Sequence, residues 1–368
     1  MKDTKQCSLC RQEFSKDNLT FFDDNLFCPA CLEEQTVTCH VCGRRIWNTD
    51  STEYSGYDYC TSCYDDRFTT CERCGDVIYY DDANYYEDNE DHDAPYCDNC
   101  YHDKEHSIHS YQYKPEPIFY GSGLFMGVEL EVDKGGESDT NASDILKIAN
   151  RNSPHVYIKR DGSINDGFEI VTHPMTLEYH MTEMPWPETM RQAISLRYHS
   201  HQTTTCGLHV HCSRSALGAT EEQQEAVIAR LLFFIEKHWN EMLKFSRRTE
   251  YQINRWASRY GFKDSPCEVM KNAKDARLGR YVCVNLENYS TIEFRIFRGT
   301  LRYETFIATL QMVDEICNTA ISSTDKKFQS MTWNSFVSKI PKHKTALINY
   351  LKEKQLYVNT KVTGKGEI

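Results

Sequence analysis

The chain has 368 residues, of which 40% are hydrophobic and 12% aromatic, and this is typical of a folded protein with room for two or more domains. It contains no run of 18 apolar residues, so we expect no membrane-spanning helix. The first residues lack the apolar stretch of a signal peptide, which predicts a cytoplasmic protein.

The net charge of −12 is concentrated in the first part of the chain. Up to Tyr113 there are 9 Lys and Arg against 24 Asp and Glu, whereas the remainder has 33 against 30. An acidic surface repels the phosphate backbone of nucleic acids. We therefore expect that the front region does not bind DNA or RNA.

The front region is also rich in cysteine. Twelve of the 17 cysteines form six CxxC pairs before residue 101, and Cys7, Cys39 and Cys71 are each 32 residues apart. Two CxxC turns can bring four sulfurs to one tetrahedral ion, so the pattern predicts three zinc sites. The simplest pairing is sequential, and a cross-braced pairing of the first CxxC with the third is also open. The sequential sets are Cys7, Cys10, Cys28 and Cys31; Cys39, Cys42, Cys60 and Cys63; and Cys71, Cys74, Cys97 and Cys100.

These three beads, residues 1–103, resemble zinc ribbons and LIM-like modules. Seven residues separate Cys31 from Cys39, more than the two between the sites of a LIM domain, so separate ribbons are favoured. Each predicted site has four cysteine ligands and no position left for water, which indicates a structural role. The acidic beads are candidates for docking a protein partner.

The remaining chain mixes strand and helix patterns. Residues 104–118 are polar and contain Pro115 and Pro117, which predicts a linker. Residues 119–325 form the main predicted domain, and 326–368 a helical extension. Helices are predicted at 142–150, 190–201, 304–322, 333–340 and 344–354, with another from a Thr220 cap to about Phe245. The absence of regular βαβ spacing favours an α+β fold: a curved antiparallel sheet with helices on one side and a polar trough on the other.

Four short segments alternate between apolar and charged residues. They are 127–133 (GVELEVD), 168–171 (FEIV), 208–212 (LHVHC) and 292–297 (IEFRIF). Successive side chains of a strand point to opposite faces, so one face can cover a core while the other carries carboxylates, imidazoles and a guanidinium. Such groups bind hard cations and phosphates, and the combination predicts a site that uses ATP and metal ions.

In this order, and with Asp161-Gly-Ser before the second segment and Cys206-Gly before the third, the motifs resemble the amidoligase family. That family belongs to the carboxylate-amine ligase superfamily of glutamine synthetase and glutamate-cysteine ligase. The resemblance covers about residues 120–325 and implies a glutamine synthetase-like sheet. It also implies ATP-dependent joining of a carboxylate to an amine through an acyl-phosphate, with two or three divalent ions bound. The amine acceptor could be an amino acid, a peptide or a protein.

The resemblance assigns roles by position. Residues matching metal- and nucleotide-binding positions are Glu129, Glu131, Glu169, His209, His211 and Glu293. The four glutamates suit Mg²⁺, which prefers oxygen ligands. Arg295 and Arg298 suit the γ-phosphate or the substrate carboxylate, and Lys159 and Arg160 are weaker candidates for the same role. The expected catalytic set is Arg295, Arg298, Glu169 and Asp161, where Asp161 either deprotonates the amine or shapes its turn.

Two other functions use the same residues differently. A zinc-dependent hydrolase would bind its ion through His209, His211 and one glutamate. A non-catalytic adaptor would act through the zinc beads alone. Dependence on nucleotide separates the ligase from both alternatives.

Overall fold

A computed structural model of the chain describes residues 4–72, 74–85, 94–105, 107–275 and 279–357. The chain divides into two compact units, Met1–Tyr101 and His102–Ile368, here called the front unit and the back unit. Within the described residues, no helix combines the length and the apolar character needed to cross a membrane.

The front unit repeats one small pattern three times. In each repeat a short hairpin holds the first CxxC, and the second CxxC leads into a helix. The first repeat contains β1 (Thr4–Gln6), β2 (Glu13–Ser15), β3 (Thr20–Phe22), β4 (Asn25–Phe27) and α1 (Pro29–Gln35). The second contains β5 (Thr36–Thr38), β6 (Arg45–Trp47), β7 (Ser51–Tyr54), β8 (Tyr57–Cys60) and α2 (Thr61–Asp65). The third contains β9 (Phe68–Thr70), β10 (Val77–Tyr79) and α3 (Asp98–Glu105), and an Asn84–Tyr96 bridge takes the place of its second hairpin.

The back unit is built on one large sheet with helices. Its strands are β11 (Ile108–His109), β12 (Phe125–Val132), β13 (Val156–Lys159), β14 (Phe168–Thr172), β15 (Met175–Thr176), β16 (Gly207–Ser213), β17 (Val284–Asn285) and β18 (Thr291–Arg298). Its helices are α4 (Asp139–Ala149), α5 (Leu177–Thr182), α6 (Trp186–Ser195), α7 (Glu221–Lys237), α8 (Trp239–Ser246), α9 (Glu250–Trp256), α10 (Pro266–Asp275), α11 (Tyr303–Ile321), α12 (Asp325–Ser330), α13 (Trp333–Val337) and α14 (Thr345–Glu353).

The strands follow the order β11-β13-β14-β12-β16-β18-β17, and β15 also pairs with β12. All these pairs are antiparallel except β11 with β13. The predicted α+β class is confirmed, but the sheet is mixed, because the edge strand β11 runs parallel to its neighbour. A glutamine synthetase-like version of this fold stays a prediction.

The alternation along the strands separates core from site as expected. Val128, Leu130 and Val132 are fully buried in the hydrophobic core, and so are Leu208, Val210 and Cys212 on β16. Ile292 and Phe294 lie in the same core. Helices α4, α6, α7 and α11 supply many of its other apolar side chains. The acids and histidines between these residues therefore lie on the opposite, polar face of the sheet.

A bulge in β18 changes this alternation near its end. Leu208 pairs with Phe297 whereas Val210 pairs with Phe294, so β18 contains one extra residue between these pairs. Ile296 and Phe297 are consequently both buried in the core. In a regular strand, Arg295 and Arg298 would point to opposite faces; the extra residue brings both to the polar side.

Several elements differ from their predicted bounds. Helix α6 covers 186–195 instead of 190–201, because Pro185 precedes its first turn and Arg197 takes a positive φ. The Thr220 side chain accepts from the Gln223 amide as predicted, but the helix that it caps ends at Lys237, and α8 begins at Trp239. The helices α5, α9, α10 and α12 were not predicted; each is short, between six and ten residues.

Two segments that were predicted to lie outside the main domain contribute to the fold of the back unit. Ile108, within the predicted linker 104–118, is buried and pairs with β13, so that segment contributes an edge strand to the sheet. Phe328, Phe336 and Leu351, within the predicted extension 326–368, belong to the same core as the sheet. The C-terminal helices thus complete the core of the back unit. Residues 358–368 lie outside the described residues.

Candidate functional site

The polar face of the sheet aligns the predicted residues in neighbouring positions on adjacent strands. Glu131 on β12 lies opposite Glu169 on β14, and Glu169 lies opposite Lys159 on β13. On the other side of β12, Glu129 lies opposite His209. The motifs, far apart in sequence, therefore meet in the centre of one sheet.

Glu129 lies between two histidines. Its Oε2 is 3.2 Å from Nδ1 of His209, and its Oε1 is 3.2 Å from Nε2 of His211. The second ring nitrogen of His209 is 3.7 Å from Oε1 of Glu131. His209 thus links both glutamates of β12, and His211 extends the cluster towards β18.

Glu131 and Glu169 are almost fully buried. The Gly207 amide donates a hydrogen bond to Glu131, and Lys159 Nζ lies 3.4 Å from Oε2 of Glu169. That contact lacks hydrogen-bond geometry, and Glu169 Oε2 has no hydrogen-bond partner among the described residues. A buried carboxylate oxygen without a donor is a candidate for binding a cation.

Glu293 and Arg295 complete the cluster on β18. The Arg295 guanidinium donates to Oε1 of Glu293, and Asn285 Nδ2 donates to Oε2 of the same side chain at 2.8 Å. His209 Nδ1 lies 3.7 Å from Glu293 Oε1. Asn285, on the edge strand β17, was not predicted as a site residue, because an Asn before a turn has an obvious local role.

The close acids have different proton affinities. Burial, followed by the charge of Glu129, holds the pKa of Glu169 well above its ordinary value. Burial also raises the pKa of Glu131. Burial opposes ionisation of Glu129 as well, but the charge of His211 and hydrogen bonds from both histidines outweigh it and hold the Glu129 pKa well below its ordinary value. A bound cation would relieve the repulsion between Glu169 and Glu129 that contributes to the raised pKa of Glu169.

Three predicted residues lie outside this centre. Asp161 Oδ1 accepts from the Ser163 amide at 2.7 Å, the geometry of a residue that shapes its turn. Arg160 is exposed and forms a 2.6 Å ion pair with Glu137. Arg298 donates to the Thr203 carbonyl and is not among the residues that line the two clefts described next.

One cleft, of about 1090 Å³, opens on the Glu129 side of the cluster. We call it the aromatic cleft, because Phe119, Phe125, Tyr157 and Tyr289 line it. Phe119 and Tyr289 are strongly exposed, at 56% and 92%. Exposed rings of this kind offer flat surfaces on which a planar ligand can stack.

A second cleft, of about 650 Å³, opens on the side of Glu131 and His209. We call it the arginine cleft, because Arg160, Arg248, Arg280 and Arg295 line it. Burial lowers the pKa of Arg248 to about 10, although the Glu131 charge opposes that shift. Arg248 and Arg280 were missed at the level of sequence, since neither belongs to a strand motif.

The cysteines of the front unit form the three sequential sets. Within these sets, the sulfur–sulfur distance is 3.9 Å for Cys10–Cys28 and for Cys42–Cys60, and 3.8 Å for Cys74–Cys97. A Zn–S bond of about 2.3 Å in a tetrahedron gives sulfur–sulfur distances of about 3.8 Å, whereas a disulfide requires about 2 Å. The structure thus brings together the sequential sets and not the cross-braced ones, and their sulfur spacing fits zinc. Zinc binding itself stays a prediction.

Comparison with known proteins gives little further information. No family model matches the chain, and no curated protein matches it. Among solved structures, the chain is similar to a bifunctional glutathione synthetase from Pasteurella multocida, with a TM-score of 0.33 and 12% identity. The similarity covers 63% of this chain and 46% of that chain, so this chain spans less than half of its length. A likeness this remote establishes neither a shared fold nor a shared activity.

Proposed function

We propose that the back unit is an ATP- and magnesium-dependent carboxylate-amine ligase of the amidoligase type. The main support is the convergence of four separate sequence motifs on one cluster: Glu129, Glu131, Glu169, His209, His211, Glu293 and Arg295. Several carboxylates beside an arginine and a lysine are the groups that phosphoryl transfer requires.

The side chains fit two divalent ions. Ligand atoms of Glu129, Glu169 and His209 lie within 4.8 Å of one another, and so do those of Glu129, His211 and Glu293. Glu131 would support the first group through His209. When bound, such ions neutralise phosphate oxygens and the repulsion among the acids. The mixed oxygen and nitrogen donors are compatible with Mg²⁺ and also with Mn²⁺.

The proposed reaction has two steps, phosphorylation of the carboxylate and attack by the amine. An oxygen of the substrate carboxylate attacks the γ-phosphorus of ATP, and ADP leaves with the electrons of the broken P–O bond. The amine then attacks the acyl carbon, inorganic phosphate leaves, and the amine loses a proton. Arg295 and Lys159 are assigned to the charge of the transferred phosphoryl group, and Glu169 to the proton. Arg298 has a supporting role, and Asp161 shapes its turn.

The front unit is proposed to carry three structural zinc ions. The small buried clusters of the first and third beads are built largely from the cysteines themselves, so metal binding is proposed to supply much of the folding energy. Its acidic surface is proposed to dock a protein partner or a protein substrate.

The ligase proposal is tested by ADP release with Mg²⁺, a panel of carboxylic acids and hydroxylamine, which converts acyl-phosphates to hydroxamates. ADP and hydroxamate should form together, and only when acid, ATP and Mg²⁺ are all present. Hydrolytic activity that needs no nucleotide and is lost to a chelator would instead indicate the zinc hydrolase. Absence of both activities, with no nucleotide binding, would indicate the adaptor.

Glu129→Gln provides the matching variant. It keeps the shape of the side chain but removes the charge shared by both candidate ion sites, so Mg-ADP binding should fall while folding is retained. Glu137→Gln is the control, because Glu137 lines the neighbouring arginine cleft but lies on the surface and pairs only with Arg160 among the described residues. Equal loss in both variants, or unfolding of Glu129→Gln, would contradict the assignment.

A further inference from the structure

Arg248 is a buried arginine on the polar side of the back unit. It follows directly after α8 and Arg247, whose positive φ turns the chain at the end of that helix. Only 6% of Arg248 is exposed, and it lines the arginine cleft. An ideal Cβ on Gly207 would lie 2.7 Å from Arg248 Nη2 and 2.6 Å from His209 Nε2. The guanidinium therefore lies beside the cluster of candidate metal ligands, separated from it by a glycine.

The Arg248 guanidinium has no ion-pair partner in the part of the chain that the structure describes, although the charge of the nearby Glu131 acts on it from beyond ion-pair distance. Among the described residues this guanidinium donates no hydrogen bond, and its Nε is buried without a partner. By contrast, the buried Glu236 is paired with Arg259 at 2.8 Å, and Glu293 with Arg295. A buried charge without a partner is costly, so proteins rarely retain one unless a ligand supplies the opposite charge.

The surroundings indicate what that ligand is. Arg295, in the same cleft, already serves the reacting centre, and Arg248 provides a second cationic position. Arg280, near the rings of Tyr111 and Tyr281, adds a third. A ligand that places its reacting group beside Arg295 and neutralises Arg248 with a separate group carries two anionic groups.

The nucleotide is better suited to the other cleft. The aromatic cleft is larger, about 1090 against 650 Å³, and presents the exposed rings on which a base can stack. That leaves the arginine cleft for the acid substrate. The two clefts meet at the cluster, where the phosphoryl group would pass from one ligand to the other.

We propose that Arg248 binds a second carboxylate of the acid substrate, so that the substrate is a dicarboxylate with one carboxyl group activated beside Arg295. This assignment rests on the proposed ligase function. It names a specificity-determining residue: Arg248 selects the acid, whereas Arg295 and the glutamates carry out the transfer. A monocarboxylate would leave Arg248 buried and unpaired, and should bind weakly.

The test is direct binding to the zinc-loaded full chain without nucleotide. Succinate, glutarate, adipate and the monocarboxylate butyrate are titrated by calorimetry, and Mg-ADP is titrated separately. At least one diacid should bind ten-fold or more tightly than butyrate, and Arg248→Met should remove that preference. Mg-ADP affinity should change less than two-fold in Arg248→Met.

Thermal unfolding distinguishes a ligand anchor from a structural residue. Because Arg248 has no partner among the described residues, Arg248→Met should leave the melting temperature of the free protein unchanged or raise it. Arg259→Met is the matched control and should lower it, because Glu236 would lose its partner. The bound diacid should raise the melting temperature of the wild type but not of Arg248→Met.

Each outcome decides the proposal. Diacid preference that survives Arg248→Met, or no preference in the wild type, would overturn it. Loss of Mg-ADP binding in Arg248→Met would assign Arg248 to a phosphate instead. If diacids bind through Arg248 but no acid supports ADP release, the anion site stands and the ligase function fails. If an acid supports ADP release but Arg248→Met changes neither binding nor activity, the ligase function stands and the assignment of Arg248 fails.

Discussion

The two units place their chemically active side chains at very different distances along the chain. In the front unit, Cys10 and Cys28 of one set are 18 residues apart. In the back unit, His209 and Glu129 touch across 80 residues. A local set can close as soon as its metal binds, whereas a long-range set needs a finished sheet to hold its register. We therefore expect the front unit to depend on bound metal for its stability, and the back unit to depend on its hydrophobic core.

Removal of zinc should have the largest effect on stability, and it should unfold the front unit while the back unit stays folded. Titration of the full chain with a thiol-reactive reagent should release three zinc ions and unfold the front unit, because its small cores are built around the cysteines. The sheet of the back unit should keep its protection in hydrogen exchange. Simultaneous loss of protection in β12 and β16 would contradict the independence of the two units.

A pair of truncations sharpens this prediction. A fragment that begins at residue 102 should fold and contain no stoichiometric zinc. A fragment that begins at Lys114 should be less stable, because it lacks the edge strand with the buried Ile108. Zinc bound tightly by either fragment would favour the hydrolase function at His209 and His211.

Arg295→Lys tests whether a residue of the back-unit site contributes to activity and not to the stability of the fold. Lysine keeps the charge but loses the planar, two-pronged donor, so turnover should fall by about 10² or more, the effect of removing one transition-state donor. ATP binding should suffer less than turnover. Steady-state ADP release and nucleotide titration measure the two quantities.

The alternative is that Arg295 only neutralises Glu293, with which it forms an ion pair. In that case Arg295→Lys would keep near-normal turnover, and a Glu293→Gln, Arg295→Met double variant would remain active if folded. An active double variant would remove β18 from the catalytic assignment.

The same difference in distance explains what the sequence could predict. The twelve cysteines and the simplest grouping into three sets could be predicted, because each CxxC repeat contains nearby partners, whereas the choice against a cross-braced pairing needed the structure. Alternation on β12, β16 and β18 also separated core from polar face correctly. Arg248, Asn285 and the bulge in β18 could not be predicted, since each depends on the register of strands or on the position at which a helix ends. Short edge strands such as β11 likewise have too few residues to give a pattern.

Gly167→Ala tests how tightly the long-range sheet is packed. An ideal Cβ at Gly167 would lie 2.0 Å from the Val132 carbonyl oxygen, and backbone cannot move aside cheaply. We expect a loss of about 3 kcal/mol in the free energy of unfolding, near the upper end for overpacking. Gly162→Ala is the control, because its Cβ would have no heavy atom within 4 Å. Equal stability of the two variants in urea unfolding would contradict this packing.

A buried histidine should give the back unit a smaller, pH-dependent loss of stability. His180 is fully buried; its Nε2 donates to the Met126 carbonyl at 3.1 Å, and its Nδ1 accepts from Trp186 Nε1 at 3.3 Å. Burial lowers the His180 pKa to about 4, against about 6.5 in the unfolded chain. The unfolded state therefore binds the extra proton first as the pH falls. The contribution of neutral His180 to the free energy of unfolding is fully present well above pH 6.5. It decreases as the pH falls from there towards 4, and the loss is about 2 kcal/mol at pH 5.

Acid also protonates the thiolates of the front unit, so the pH effect of the wild type alone cannot be assigned to His180. His180→Gln removes the titrating group and keeps one donor and one acceptor. The difference between the wild type and this variant in the free energy of unfolding, measured at pH 7.5 and at pH 5, cancels the contribution of zinc release. The variant should lose less stability on acidification than the wild type, whatever its stability at pH 7.5. His343→Gln, at an exposed position, should follow the wild type. Parallel pH profiles for all three proteins would show that His180 is not held neutral in the core.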